Sequence, residues 1–523
     1  MSNPHPPMFD LFVIGGGVNG CGIARDAAGR GLKVGLAEQG DLAAATSSAS
    51  SKLFHGGLRY LEFFEFGLVR ESLREREILL RLMPHIAFPM RFVLPVHAEM
   101  RFETETPASR LLTRLFPWLK GRRPAWMIRL GLFLYDHLGG RGFLPGTRRL
   151  DLRRDPAGAA LNPRYRTAFE YSDGWVDDAR LVALNARDAA TRGAKIMTRT
   201  QVTGAQIEHG QWQITLRDTR TGVTRLVTAG ALVNAAGPWV DAVLHSALGQ
   251  TGPRQIRLVR GSHIVTRRLF DHDRAYFLQG SDGRIIFLLP YQHDFTLIGT
   301  TEAAHPGPET PAICTEAERD YLLAFANHYL RDPITAQDVV HSFAGVRTLV
   351  DDGAASDTAA TRSFVLHSEN PGAPLLNVLG GKITNYRALS QAAVNRLFPG
   401  RPAWTASAPL PGGDFAVDGA AALIGDLQAA YPFLSPRWAT RLIRAYGTEA
   451  VAILGKAKTT ADLGRDFGAT LTEAELRWLM TREFAQRAED VVWRRSKLGL
   501  WMSRDQIAAL DEWMQSEHEG GPQ

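Results

Sequence analysis

Three glycines and one acid carry the first chemistry that can be read in this chain. The apolar run Phe9-Asp10-Leu11-Phe12-Val13-Ile14 leads into Gly15-Gly16-Gly17-Val18-Asn19-Gly20, and Glu38 closes a second run, Leu32-Lys33-Val34-Gly35-Leu36-Ala37. This spacing predicts strand, glycine turn, helix, strand and acid, which together make a dinucleotide-binding fingerprint. Gly15 permits the tight turn, Gly17 lets the backbone approach a pyrophosphate, and Gly20 lets the helix lie close to the strand. The helix N-terminus adds N–H groups and a partial positive charge for a diphosphate. Glu38 stands where a carboxylate binds a ribose diol. The glycines alone would also fit a turn with no ligand; strand, helix and acid in register argue against that.

A chain of 523 residues is too long for one core, so two or three domains are expected. Its 45% apolar and 22% charged residues are those of an ordinary folded protein. Cys21 and Cys314 are the only cysteines, which excludes a disulfide framework and suits a reducing compartment. Cys21 falls in the first turn of the glycine helix and reads as core. Residues 1–8 lack the cationic start and apolar core of a signal peptide, and no run offers the roughly 20 apolar residues of a spanning helix. A cytoplasmic location is expected, with contact at a membrane surface left open. The positive charge is local: residues 98–149 hold ten Lys/Arg against four Asp/Glu, a surplus of six that equals the surplus of the whole chain. Such a patch suits nucleic acid, anionic lipid or an acidic partner.

Periods of two and 3.6 residues alternate through roughly the first four hundred residues, which predicts a mixed α/β architecture. Helices are expected over 67–82 and 178–192, a meander over 202–227, β runs between 256 and 301, and a last buried strand at Leu375–Leu379. Gly380-Gly381-Lys382 should open a helix running to about Leu397. Near Pro409-Leu410-Pro411-Gly412-Gly413 the pattern changes, and residues 420–514 read as a separate helical domain. No internal repeat or low-complexity tract occurs.

Two features favour flavin over nicotinamide: the fingerprint lies near the start of the chain, and a distant strand ends in Asn234-Ala235-Ala236-Gly237-Pro238-Trp239, small residues that allow close approach to a cofactor. Further motifs lie in order along nearly the whole chain. They include Ala44-Ala45-Thr46-Ser47-Ser48-Ala49-Ser50-Ser51-Lys52, His55-Gly56-Gly57-Leu58-Arg59-Tyr60-Leu61, Trp175-Val176-Asp177-Asp178-Ala179-Arg180, Gly261-Ser262-His263-Ile264-Val265, Gly299-Thr300-Thr301, Gly345-Val346-Arg347 and Gly380-Gly381-Lys382-Ile383-Thr384. As an ordered set, with Asp462 to Gly468 and Arg487-Ala488-Glu489-Asp490 in the helical tail, they resemble the FAD-dependent glycerol-3-phosphate dehydrogenases. The resemblance implies FAD, oxidation of sn-glycerol 3-phosphate to dihydroxyacetone phosphate, and electron delivery to membrane quinone. It divides the chain into a Rossmann-like FAD-binding domain (8–88, 176–240 and 341–400), an interleaved β-rich substrate- and membrane-facing domain (89–175 and 241–340) and an all-helical C-terminal domain (405–523). Two departures are visible: residues 100–121 read as an insertion, and Asn385 replaces an expected threonine.

The cofactor residues implied are Gly15, Gly17, Asn19, Gly20, Glu38, Thr46, Ser47, Ser48, Lys52, His55, Gly56, Gly57, Ala236, Gly237, Trp239 and Gly381. A dianionic phosphate needs fixed cations, and Arg59, Arg347 and Lys382 lie in the matching motifs; each alone would read as a solvated surface cation. Arg347 and Lys382 are also assigned to catalysis, and Tyr60 and Thr384 to substrate, although Thr384 is equally suited to capping a helix. The proton acceptor is placed at His263, with His55 as the second candidate. Scattered histidines, distant cysteines and the absence of HExxH or CxxC predict no metal site. No P-loop and no nucleic-acid module is found. An oxygen-using glycerol-3-phosphate oxidase, a related amine or amino-acid oxidase and a non-enzymatic flavin-bearing adaptor are the alternatives; a homodimer is left open.

Within the basic patch, Leu111, Leu112, Leu115, Phe116 and Leu119 recur at helical spacing, with Arg110 and Arg114 on another face. Pro117 should end that helix, and a second should begin at Pro124, carrying Trp126, Ile128, Leu130, Leu132, Phe133 and Leu138. Residues 109–138 thus read as an interfacial segment for an anionic membrane surface; a helix pair packed on its own core explains the apolar residues but not the charge. The implied location is peripheral, on the inner face of the cytoplasmic membrane.

Overall fold

The computed structural model describes residues 8–98, 100–102, 106–119, 122–140, 142–249, 256–280, 282–350 and 364–520. Two sheets and a helical domain make up the fold. In the first sheet, Lys195–Met197, Val34–Ala37, Met8–Ile14, Thr224–Asn234 and Leu375–Leu379 run parallel in that spatial order, and Val365–Glu369 adds an antiparallel edge. Ile14 pairs with Ala37 on one side and Asn234 on the other, so the central strands end level. That level edge, where the connections from adjacent parallel strands leave in opposite directions, is where an open α/β sheet binds its ligand.

Helix Val18–Gly29 returns along one face of this sheet between helices Asp178–Thr191 and Tyr386–Leu397. Its inward positions are Cys21, Ala24, Ala27 and Ala28, small enough for three helices to pack closely over Val13, Leu36 and Val233. Arg25 is buried there and donates to Asp188 at 2.6 Å, tying two of the helices together. The antiparallel pair Thr200–Glu208 and Gln211–Asp218 covers the opposite face with Trp212, Ile214 and Leu216.

The second sheet has ten strands, among them Leu53–Phe54, Ala87–Pro95, Thr167–Val176, Ile256–Arg267 and Phe295–Gly299. Strand Val339–Val350 belongs to it, pairing with Ile256–Arg267 from Ile256↔Val350 to Thr266↔Val339. Residues 341–350, expected in the FAD-binding domain, thus pair within the second sheet, where Arg347 stands on its longest antiparallel ladder.

The expected helix from Gly380 starts later. Gly380 and Gly381 take φ of +69° and +98°, so a 3₁₀ turn forms at Ile383–Asn385 and the α-helix begins at Tyr386. Asn385, the unexpected residue, immediately precedes that helix and is buried. The tail from 420 is helical around its own core, with one short hairpin at Asp466–Gly468 and Leu471–Thr472. It docks on the first domain through buried charges: Arg180 on Glu483, Lys497 on Asp177, and both Arg494 and Arg495 on Asp41.

Candidate active site

The glycine turn has the geometry its spacing predicts. Gly15 adopts φ +109°, and a Cβ there would meet Ala235 O at 2.6 Å; a Cβ on Gly20 would lie 1.9 Å from Gly15 O. Ser47 Oγ accepts from Val18 N at 3.0 Å, fixing the Thr46–Ser48 segment against the helix start. Glu38 accepts from Gly16 N at 2.7 Å and Gly40 N at 2.8 Å. Burial raises its pKa, and those two backbone N–H groups oppose the shift. Asn19 Oδ1 is buried with no hydrogen-bond partner among the described residues. An acceptor of that kind beside the helix start fits a bound cofactor with a hydroxyl or N–H to offer.

A cavity of about 710 Å³ extends from this turn. Gly15, Gly17, Asn19, Glu38, Thr46, Ser47, His55, Gly57, Ala236, Gly237, Trp239 and Gly381 line it, and so do Arg59, Tyr60, Arg347 and Lys382. Residues separated by up to some 370 positions in sequence thus share one wall. Lys382 Nζ stands 3.7 Å from the Tyr60 ring centroid, a cation–π contact that holds both side chains. Arg347 donates to Thr300 Oγ1 at 3.1 Å and to Glu302 Oε1 at 3.3 Å. Gly57, at φ +76°, packs against Tyr60 and sets the sharp turn that brings Arg59 and Tyr60 to the wall.

Six expected residues stand elsewhere. Lys52, read as cofactor-binding, is 1% exposed and gives its ammonium to Asp178 at 2.7 Å and Ser48 O at 3.0 Å. With Ser48 it borders a smaller adjoining cavity of about 370 Å³. Gly20 and Gly56 are packed behind the lining, and Thr384 is buried with Oγ1 3.3 Å from His55 N. His263 does not reach the cavity. It lies behind Ser51, with Nε2 2.9 Å from Ser51 Oγ and its ring stacked 5.0 Å from Phe343. Burial first, then the Arg347 and Lys52 charges, hold its imidazole well below the usual histidine range. The histidine on the wall is His55.

The sequence reading missed Ser51, Asp173, Thr300 and Glu302, which also line the cavity. Thr300 and Ser51 fell inside quoted motifs; Asp173, two residues before Trp175, carried no signal of its own. No cluster of His, Cys, Asp and Glu among the described residues could hold a metal.

A glycine cradle at the edge of a parallel sheet, opening into a deep cavity, is the arrangement of a dinucleotide-dependent oxidoreductase. Residues 10–387 match the family described as FAD dependent oxidoreductase, and 403–518 match the C-terminal domain of alpha-glycerophosphate oxidase. The chain is 48% identical to D-erythritol 1-phosphate dehydrogenase of Brucella abortus (strain 2308), covering 97% of this chain and 98% of the relative. It is 45% identical to aerobic glycerol-3-phosphate dehydrogenase of Escherichia coli (strain K12), covering 97% of each. Among solved structures, glycerol-3-phosphate dehydrogenase from Bacillus halodurans complexed with FAD superposes with a TM-score of 0.72 at 25% identity, covering 98% of this chain and 91% of that one. The chain belongs to the FAD-dependent glycerol-3-phosphate dehydrogenase family. FAD is the cofactor of that family, and the cradle's geometry fits it.

Proposed function

We propose that the protein oxidises sn-glycerol 3-phosphate at C2 to dihydroxyacetone phosphate and passes the electrons to a membrane quinone. The observation that carries this reading is the gathering of Arg59, Arg347 and Lys382 on the wall of the cavity that begins at the glycine cradle. The bound flavin supplies a hydride acceptor, and the protein supplies binding, orientation and charge. Arg59, Arg347 and Lys382 fix the phosphate, with the guanidinium planes suited to two oxygens at once. Arg347 is itself oriented by Thr300 and Glu302. His55 on the wall takes the hydroxyl proton, and His263, one hydrogen bond behind, holds Ser51 in place. The Asn19 carboxamide and the Glu38 carboxylate hold the cofactor. Anaerobic addition of sn-glycerol 3-phosphate should bleach the flavin band near ~450 nm; a flavin that stays oxidised overturns the reading. A four-carbon alditol 1-phosphate is the second reading, favoured by the 48% identity to the erythritol 1-phosphate enzyme. The ratio of the two reduction rate constants decides between them.

The membrane reading rests on the basic segment. Thr106 and Ser109 cap helix Pro107–Leu115 reciprocally, and Ala125–Leu138 forms the second helix. Leu112, Ile128, Leu132 and Tyr135 face the core, whereas Leu111, Leu115, Trp118, Trp126, Leu130 and Phe133 are exposed, Trp118 by 71%. Arg110, Arg114 and Arg129 stand exposed among them; Lys120 and Gly121 lie outside the described residues. An exposed apolar face edged by arginines suits the interface of an anionic bilayer. No helix among the described residues is long and apolar enough to cross a membrane. Binding to phosphatidylglycerol vesicles that weakens with salt supports this; equal binding to neutral vesicles, or none, overturns it.

A further inference from the structure

Helix Ala125–Leu138 has a second attachment besides its apolar face. Tyr135, 2% exposed, accepts a hydrogen bond from Gly56 N at 2.7 Å through its hydroxyl oxygen. The same hydroxyl donates to the Asp173 carboxylate, 2.8 and 2.9 Å from its two oxygens. Asp173 forms part of the cavity wall and is held from behind by Arg76 at 2.7 Å. Gly56 is the middle of the turn His55-Gly56-Gly57, which brings His55, Arg59 and Tyr60 to the cavity. The turn rests directly on Tyr135 and Leu73: a Cβ on Gly56 would come within 2.9 Å of the ring and 2.5 Å of the leucine. On its other side Thr384 Oγ1 accepts from His55 N. Two hydroxyls therefore clamp the backbone of one short turn.

We infer that Tyr135 is a positioning residue for substrate oxidation, holding the His55–Gly57 turn in register with the flavin from outside the cavity. This rests on the reading of the cavity as the flavin and substrate site. The buried Gly56 N–H donates to the phenolic oxygen, and the buried Asp173 carboxylate that fixes this oxygen lies close enough to feel the same N–H. Removing that oxygen leaves both Gly56 N–H and Asp173 short of a partner while the ring and the helix packing stay. The turn then relaxes, and a small displacement of Arg59 and His55 costs rate out of proportion to its size.

The test is Tyr135→Phe in the FAD-loaded protein. The limiting rate constant for flavin reduction by sn-glycerol 3-phosphate should fall about tenfold, equivalent to about 1.4 kcal/mol. FAD content and reduction by dithionite should match wild type and the melting temperature should fall by no more than a few degrees, whereas a merely structural role would leave the rate constant for flavin reduction unchanged. A rate constant equal to wild type overturns the inference. Sulfite, which adds to flavin N5 without any substrate, gives an independent readout: its dissociation constant should rise at least about threefold as the Arg59 charge that follows the turn moves away. If wild-type flavin is not reduced by sn-glycerol 3-phosphate, the substrate reading fails while the sulfite comparison still decides the role of Tyr135. If Tyr135→Phe yields no holoprotein, Asp173→Asn decides: it leaves the phenol but removes its charged acceptor. A rate constant lowered about threefold supports the inference, and an unchanged one overturns it.

Discussion

Gly20→Ala is the sharpest test of the cradle. A Cβ at this position would stand 1.9 Å from Gly15 O and 3.1 Å from Gly15 C, both backbone atoms of the turn itself. No side-chain rotation relieves such a contact, so helix Val18–Gly29 must retreat by about 1.5 Å to reach ordinary van der Waals separation. The helix is also locked on its far side, where Arg25 pairs with Asp188 and Ala24, Ala27 and Ala28 are packed among three helices. Overpacking of this kind costs about 1–3 kcal/mol, and an obstacle of backbone puts it at the upper end. Because the shifted N–H groups are those that face the diphosphate, the expected loss appears mainly as FAD affinity, about 100-fold. Gly131→Ala is the control: it lies in helix Ala125–Leu138 with no heavy atom within 4 Å of an added Cβ, so it should stabilise by up to about 1 kcal/mol. FAD content after desalting, followed by FAD titration and thermal melting, reads both variants. A Gly20→Ala protein that retains FAD like wild type refutes the assignment of this turn.

Arg347→Lys keeps the charge but loses the fork that Thr300 and Glu302 orient; KM for sn-glycerol 3-phosphate should rise at least about tenfold, measured by steady-state dye reduction. His263→Asn addresses pH. Because the folded protein resists protonating this histidine, native stability is lost as pH falls below the unfolded value of 6.5, and the variant should show a flatter decline there in melting temperature. Identical slopes would remove His263 from that role. Replacing Trp126, Leu130 and Phe133 together by serine should abolish vesicle binding with the melting temperature held within a few degrees, since all three are exposed; vesicle binding that survives the change places the contact elsewhere.

The features legible in the sequence are those in which one local segment carries its own instruction. The glycine turn and Glu38 lie within a single strand–turn–helix–strand unit, and the two basic helices announce themselves by spacing and by Pro117. What stayed hidden depends on partners far away in sequence. Lys52 sits in a motif beside cofactor residues, yet Asp178, 126 positions on, takes its ammonium. His263 has the right chemistry for a base, but the strand that carries it turns the ring toward Phe343 and behind Ser51. Tyr135 lies in the second basic helix, and nothing local distinguishes a hydroxyl that reaches Gly56. Even the helix after Leu379 begins a few residues later than its spacing predicts, because positive φ at Gly380 and Gly381 is incompatible with helical continuation.

The ion cluster around Asp41 also bears on how the protein is made. Asp41 follows the fingerprint acid by three positions, and the guanidinium groups that neutralise it arrive 453 and 454 residues later. At about 5–20 residues per second, a ribosome takes roughly 20–90 s to cover that interval. Throughout it, the loop beside Glu38 carries an aspartate whose buried partners do not yet exist, and Asp177 likewise awaits Lys497. The nascent cofactor domain therefore has to keep these carboxylates in water, with its edge open, until the last segment leaves the ribosome. Only then can the charges be buried in pairs. Prematurely terminated chains would retain that open edge, a distinguishing mark by which proteases and chaperones could separate unfinished molecules from complete ones.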